Sequence, residues 1–304
     1  MFLQRTIGKT VKVDGIGIHS GKPTTLTFRP APANTGIHIA RVDLPGKPSL
    51  KAITANVQAT TMATTLGGEF FQVATVEHCL STLAAFRIDN LVIELSGPEI
   101  PICDGSAAVF AESLLAAGLV EQDQPRKYAY VTQPIFIGDD SKHAYVVPYN
   151  GLRITCTIDF PHPSIGLQKL DLDINETSFV REIAKARTFG FMKDVEALRA
   201  RGLALGGSLE NAIVLDDTKI LNPEGLRFAD EFVRHKVLDA LGDLVNLGMP
   251  LMGHLVLYKA GHDVLHRLVT KILESPDHCR QIELGSDLPE TSAGLGSLWS
   301  STRH

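Results

Sequence analysis

The chain is 304 residues long and carries a formal net charge of -5, with 44% hydrophobic and 21% charged residues. That balance excludes a disordered chain, offers no basic field or Lys/Arg-rich run to nucleic acid, and at this length predicts two domains of roughly 100 to 150 residues each. No run of about 18 apolar residues is present to cross a bilayer, and the first residues lack the apolar stretch of a signal peptide. A cytoplasmic protein with no integral membrane segment is therefore expected.

From residue 10 to 40, TVKVDG, IGIHSGK, TTLTFRP and GIHIARVD alternate and break at glycines, the pattern of short antiparallel strands. Thr75 is placed to cap a helix through VEHCLSTLAAF, after which DNLVIELSG reads as a strand and SAAVFAESLLAAGL as a second helix. LVEQDQPRKY is polar and contains a proline, so it reads as a linker, with the domain boundary at 126/127. Beyond it AYVTQPIFIGDD, KHAYVVPYN and LRITCTIDF return to strands. Then DEFVRHKVLDALGDLVNLG is an amphipathic helix, LMGHLVLYKAG a strand and HDVLHRLVTKILESP a last helix. The second half repeats the order of the first, which predicts an α+β protein with domains at 1–126 and 127–304. Two stretches, roughly 41–68 and 188–217, fall outside the shared pattern and read as insertions. The Ser-, Gly- and Thr-rich tail from about residue 286 reads as loose.

Cys79, Cys103, Cys156 and Cys279 are far apart and form no Cys-x-x-Cys pair, so any metal site falls to histidines and carboxylates. Three segments supply such groups. His235, Asp239 and Asp243 recur at i, i+4 and i+8 on one predicted helix face, where an imidazole and a carboxylate one turn apart suit zinc. Taken alone, the same spacing fits a solvated His–Asp pair. Glu77 and His78 open an otherwise apolar helix, where a metal ligand beside a carboxylate that activates water would offset the cost of burying charge. Taken alone, Glu77 also fits the favourable N-terminal end of a helix dipole, with His78 on the surface. Gly261-His262 follows a predicted strand and presents a histidine suited to a catalytic acid, or to an ordinary backbone hydrogen bond. The chain lacks His-Glu-x-x-His, which argues against a zinc peptidase.

Together these segments, with QRTIGKTVKVDGIGIHSGK, TLTFRPAPANTGI, GPEIPICDGSA, ARTFGFM, GLALGGSLENAIVLDD and LRFADEFVRHKVLDALGDL, resemble the bacterial UDP-3-O-acyl-N-acetylglucosamine deacetylases, zinc amidases of lipid A synthesis. The resemblance covers the chain to about residue 270. It implies two similar α+β domains, each a sheet layered with helices, with one insertion per domain and the active site between them. It implies one zinc held by His78, His235 and Asp239, in a donor set that iron(II) can also occupy. Glu77 becomes the general base, His262 the acid paired with Asp243, and Thr188 a hydroxyl near the oxyanion. Lys236 falls where the family meets the substrate phosphates, and Phe160 near the uridine. Phe191, Met192, Val195, Leu198, Leu203, Leu205 and the Gly206, Gly207 and Ser208 run fall where the family's second insertion lines a passage for the acyl chain. The implied partner is thus a small acylated UDP-sugar, acted on by a monomer. The chain departs from the best-known members at Ala63, where they carry a cysteine near the metal.

Overall fold

The computed structural model describes residues 2–283, so the tail expected to be loose lies outside the described residues. The first half runs β1 (Leu3–Ile7), β2 (Val11–Ile16), β3 (Pro23–Pro30), β4 (Ile37–Arg41), β5 (Ser49–Lys51), then the short strands β6 (Val57–Ala59), β7 (Thr65–Gly67) and β8 (Gln72–Val73), helix α1 (Glu77–Ala85), β9 (Leu91–Leu95) and helix α2 (Ala108–Ala117). Five strands form one sheet in the order β2-β3-β9-β4-β5, with β9 antiparallel to β3 and parallel to β4. The LVIEL run of β9 buries Leu91, Ile93 and Leu95 and leaves Val92 and Glu94 half-buried, the period-two pattern of a sheet with one core face. Of the stretch 41–68 read as the first insertion, β5 joins the five-stranded sheet, while β6 and β7 form a three-stranded sheet with β8, which lies just beyond it.

The first half ends with β10 (Leu119–Pro125), and the second runs β11 (Lys127–Val131), β12 (Ile135–Gly138), β13 (His143–Val147), β14 (Leu152–Phe160) and β15 (Gly166–Asp173). A single turn, α3 (Glu176–Ser178), runs into a π-helical turn at Phe179–Ile183. There follow β16 (Phe189–Phe191), α4 (Met192–Ala200), β17 (Ile213–Leu215), α5 (Glu231–Leu244), β18 (Leu251–Tyr258), α6 (His262–Leu273) and β19 (Cys279–Glu283). β18 is the hub of a seven-stranded sheet, antiparallel to β13 and parallel to β14 and β11. The second insertion is a β-α-β unit in which β16 and β17 pair in parallel. α6 turns Val264, Leu265, Leu268, Val269 and Ile272 inward, the i, i+3, i+4 stripe of an amphipathic helix.

The α+β class is as expected. Three local expectations change. The stretch read as a linker is β10, paired antiparallel with β1, followed at once by β11. A polar strand in a two-stranded ribbon carries no apolar alternation, so its composition resembled that of a connector. β19, which pairs with β11, had no apolar pattern to announce it. Thr75 does not cap α1; the N-cap position is Val76, with no side-chain cap bond.

Buried apolar packing is continuous across both halves. It runs from Phe28, Ile39 and Ile93 through Leu80 and Leu83 of α1 and Val237, Leu238 and Leu241 of α5 to Leu255 and Leu268. Eight of the nine residues of α1 are buried, so this helix has no solvated face. Its principal neighbour is α5. Among the described residues no helix is long and apolar enough to cross a membrane.

Candidate active site and metal centre

The site is made by the closeness of α1 to α5. A Cβ placed on Gly242 would lie 2.0 Å from the Glu77 carbonyl oxygen and 2.7 Å from its Cα. Only glycine lets the first turn of α1 sit directly against the last turns of α5, and that contact brings Glu77 and His78 to the helix that carries His235, Asp239 and Asp243. All five side chains are buried, which removes the surface readings of His78 and of the His–Asp pair.

His78 Nε2 lies 3.6 Å and His235 Nε2 3.3 Å from the same Asp239 oxygen, Oδ1, and the two imidazole rings meet edge to face at 4.9 Å. Donor atoms of these three residues lie within 4.8 Å of one another. The His235 Nδ1–H donates to the Ala186 carbonyl at 3.1 Å, which leaves the Nε2 lone pair turned toward Asp239. Burial, and then the neighbouring His235, push His78 down to about 3; burial likewise lowers His235, so both rings are neutral at neutral pH. Burial alone would raise Asp239, but the neighbouring His235 and then Lys236 outweigh it and hold its carboxyl well below the usual carboxylate range. Its Oδ2 accepts from Lys236 Nζ at 2.6 Å, while the buried Oδ1 accepts no hydrogen bond. Two neutral imidazoles and an orphaned carboxylate oxygen, with no proton to share among them, fit a divalent cation of the zinc class.

Glu77, Asp239 and His262 form a second convergent trio. It shares Asp239 with the first trio and brings one imidazole, that of His262. Burial lowers its pKa, but the charge and hydrogen bond of Asp243 outweigh that and raise it to about 9. His262 Nδ1–H donates to Asp243 Oδ2 at 2.7 Å, and Nε2 points toward Glu77 Oε1 at 3.9 Å. Glu77 is pushed up to about 8 by burial, against the pull of His262. An acid and a base thus face each other beside the three metal-type donors.

Left-handed residues other than glycine lead into each of these segments. Met62 (φ 66°), Thr75 (φ 59°) and Lys259 (φ 50°) stand two, two and three residues before Thr64, Glu77 and His262. A β-branched residue at positive φ is an outlier that surrounding contacts must hold. At Thr75 the contact is a hydrogen bond from its hydroxyl to Glu99 Oε1 at 2.9 Å, and the Glu99 carboxylate also accepts the His19 and Ser20 N–H groups.

The remaining sequence-predicted residues are distributed around this centre. Phe160 meets Phe189 at 5.6 Å and Phe191 at 6.1 Å, and Phe189 meets the His235 ring at 6.3 Å, so an aromatic row leads away from that imidazole. Thr188 is half-buried, its N–H donating to the Gly105 carbonyl and its carbonyl accepting from Ile213. The Lys236 ammonium is turned onto Asp239. Leu198 lies on α4, which buries none of its residues. Gly207 and Ser208 lie between α4 and β17 of the second insertion, which docks on the first-half loop where Leu205 and Gly206 donate to the His19 and Ile18 carbonyls. Met192 and Leu205 are about half exposed, at 47% and 52%.

Sequence reasoning missed two groups. Thr64 is 2% exposed and bonds to Glu77 and Asp243. Arg187, fully buried, is clamped by Glu231 at 2.9 Å and by the Gly225 carbonyl at 2.6 Å, and so fixes the backbone next to Ala186. Arg187 stood inside the ARTFGFM run, whereas Thr64 carried no local signal.

The chain matches the UDP-3-O-acyl N-acetylglycosamine deacetylase family over residues 4–274. A UDP-3-O-acyl-N-acetylglucosamine deacetylase of Bdellovibrio bacteriovorus is 69% identical over 290 residues, 95% of this chain and 96% of that protein. Proteins of the same name from Myxococcus xanthus and Shewanella oneidensis are 50% and 46% identical, covering 96% and 91% of this chain and 93% and 92% of their own lengths. With the family match spanning residues 4–274 and relatives up to 69% identical over nearly the whole chain, the chain belongs to the UDP-3-O-acyl N-acetylglycosamine deacetylase family.

Proposed function

We propose that this chain removes the N-acetyl group of UDP-3-O-(3-hydroxyacyl)-N-acetylglucosamine, releasing acetate and UDP-3-O-(3-hydroxyacyl)-glucosamine at the committed step of lipid A biosynthesis, as a cytoplasmic monomer. The observation that carries this reading is the convergence of His78, His235 and the orphaned Asp239 oxygen beside the facing pair Glu77 and His262. The names of its relatives supply the substrate.

His78, His235 and Asp239 would hold one zinc ion. Bound there, zinc supplies Lewis acidity, which polarises an amide carbonyl and lowers the pKa of water toward about 7, and a positive charge that favours the Glu77 carboxylate. Glu77 takes the proton of the attacking water at a carboxylate that Thr64 N–H steadies at 3.1 Å. His262, charged through Asp243, stabilises the developing oxyanion and delivers a proton from Nε2 to the departing amine nitrogen. Thr188 is assigned to the oxyanion and Lys236 to the substrate phosphates. The row Phe160, Phe189 and Phe191 offers π-faces to the uridine. The exposed apolar residues of the second insertion, with Leu198, Gly207 and Ser208, line the acyl chain.

The test is acetate release from the acylated UDP-sugar by purified protein, before and after chelation and zinc readdition. Activity lost and then restored is expected. A protein that holds one zinc per chain and releases no acetate would refute the assignment.

A further inference from the structure

We infer that Thr64, on the first insertion, is a positioning residue that couples the base to the acid's carboxylate partner. The inference deepens the amidase reading and rests on it. Three bonds carry it. The Thr64 N–H donates to Glu77 Oε2 at 3.1 Å, its hydroxyl donates to Asp243 Oδ1 at 2.5 Å, and its carbonyl accepts the Val76 N–H at 3.3 Å. One buried residue thus grips the start of α1 through its peptide group and α5 through its side chain.

The geometry at Asp243 explains what the hydroxyl adds. Asp243 Oδ2 accepts from His262 Nδ1 at 2.7 Å, and Oδ1 accepts from Thr64. With both oxygens engaged, the carboxylate plane is fixed, and with it the imidazole plane that aims Nε2 toward Glu77. The Thr64 oxygen also lies 3.3 Å from His262 Nδ1, so the ring rests against the same hydroxyl. Without the hydroxyl, a buried carboxylate oxygen loses its donor and can turn, carrying His262 with it. Thr64 is delivered to this place by the left-handed turn at Met62 and is held by β7, which begins at the next residue. The first insertion therefore sets the catalytic geometry, in contrast to the second, which bears the aromatic and apolar residues.

The experiment compares Thr64→Val, which keeps the shape and the backbone bonds, with Thr64→Ser, which keeps the hydroxyl. Loss of one hydrogen bond to a charged group predicts a kcat about 10- to 100-fold lower in Thr64→Val, with KM and zinc content unchanged. Thr64→Ser should recover to within about threefold. In an Asp243→Asn background, Thr64→Val should add little further loss, because the hydroxyl acts through that carboxylate. A Thr64→Val variant with kcat within about twofold of wild type would overturn the inference, as would a Thr64→Ser variant no better than Thr64→Val. A fall in zinc content that accounts for the lost rate would also overturn it.

A second readout does not depend on the substrate. The Nδ1 proton of His262, assigned by its absence in His262→Gln, should give a downfield proton resonance that shifts or broadens in Thr64→Val and returns in Thr64→Ser. Wild-type protein loaded with zinc but inactive on the UDP-sugar would sink the amidase reading, and an unchanged resonance in Thr64→Val would sink the role of Thr64.

Discussion

Adding one methyl group at Gly242 is the sharpest test of how the site is built. The Cβ of Gly242→Ala would stand 2.0 Å from the Glu77 carbonyl oxygen, and the atoms it meets are backbone, which cannot swing aside. The contact must open by about 1.5 Å to reach the ~3.5 Å of an unstrained packing contact. Alanine gains up to about 1 kcal/mol in helix propensity over glycine, against overpacking of about 1 to 3 kcal/mol in a close-packed interior. Because the atoms met are backbone, the overpacking falls at or beyond the upper end of that range, and the net loss of stability is about 2 kcal/mol or more. A second effect falls on catalysis, because a displacement of about 1 Å at reacting groups can cost ~100-fold. Gly242→Ala should lower kcat by about that factor and weaken zinc binding, since His78 moves with Glu77. Rates of acetate release at saturating zinc, zinc affinity by competition with a chelator, and thermal unfolding read the three consequences separately. Gly68→Ala is the control, because nothing lies within 4 Å of a Cβ there. A Gly242→Ala protein with wild-type rate and zinc affinity would refute the claim that this contact sets the site.

Three further outcomes follow from the assigned roles. Glu77→Ala should keep one zinc per chain and lose about 100-fold or more in turnover, whereas His235→Ala should lose the metal as well; atomic emission alongside steady-state rates checks both, and a fully metallated His235→Ala protein would contradict the ligand set. Lys236→Met should raise KM about tenfold for the UDP substrate relative to the same sugar without phosphates, if the ammonium serves phosphate; equal losses on both, with weaker zinc binding, would assign it instead to Asp239, which it contacts at 2.6 Å. Arg187→Met takes the cation from the fully buried Glu231 carboxylate and leaves it the backbone N–H groups of residues 187 and 227, so unfolding should cost about 3 kcal/mol less, and a shift of the neighbouring Ala186 carbonyl from His235 should weaken zinc about tenfold; chelator competition and denaturant unfolding test the two.

The parts of this fold that could be read from the sequence are those with a period or a motif. β9, α2, α5 and α6 have alternating or helical apolar spacing, and the structure places them where that spacing predicts. β10 and β19 have none, because their partners are β1 and β11 rather than a broad core, and their exposed positions left no apolar signal. At the site, His235, Asp239 and Asp243 were visible because one helix spaces them evenly. Thr64 was invisible for the converse reason. Its three partners lie 12 to 179 residues away, on elements whose contact only the folded chain creates.

That contact also explains why the site needs both halves. Glu77 and His78 come from α1 in the first, and Asp239, Asp243 and His262 from α5 and α6 in the second. Each group is buried, and alone each would be a costly charge or an unpartnered polar atom in an apolar interior. Paired across the α1–α5 contact they satisfy one another, except at Asp239 Oδ1 and His78 Nδ1, which keep no partner. A protein selected only for stability would replace such residues with aliphatic ones, since a buried ion pair gains little over a well-packed core. Their survival within a continuous apolar core, with one acceptor of a metal-type trio left open, is what the fold gives up in stability to hold the groups of the site in place.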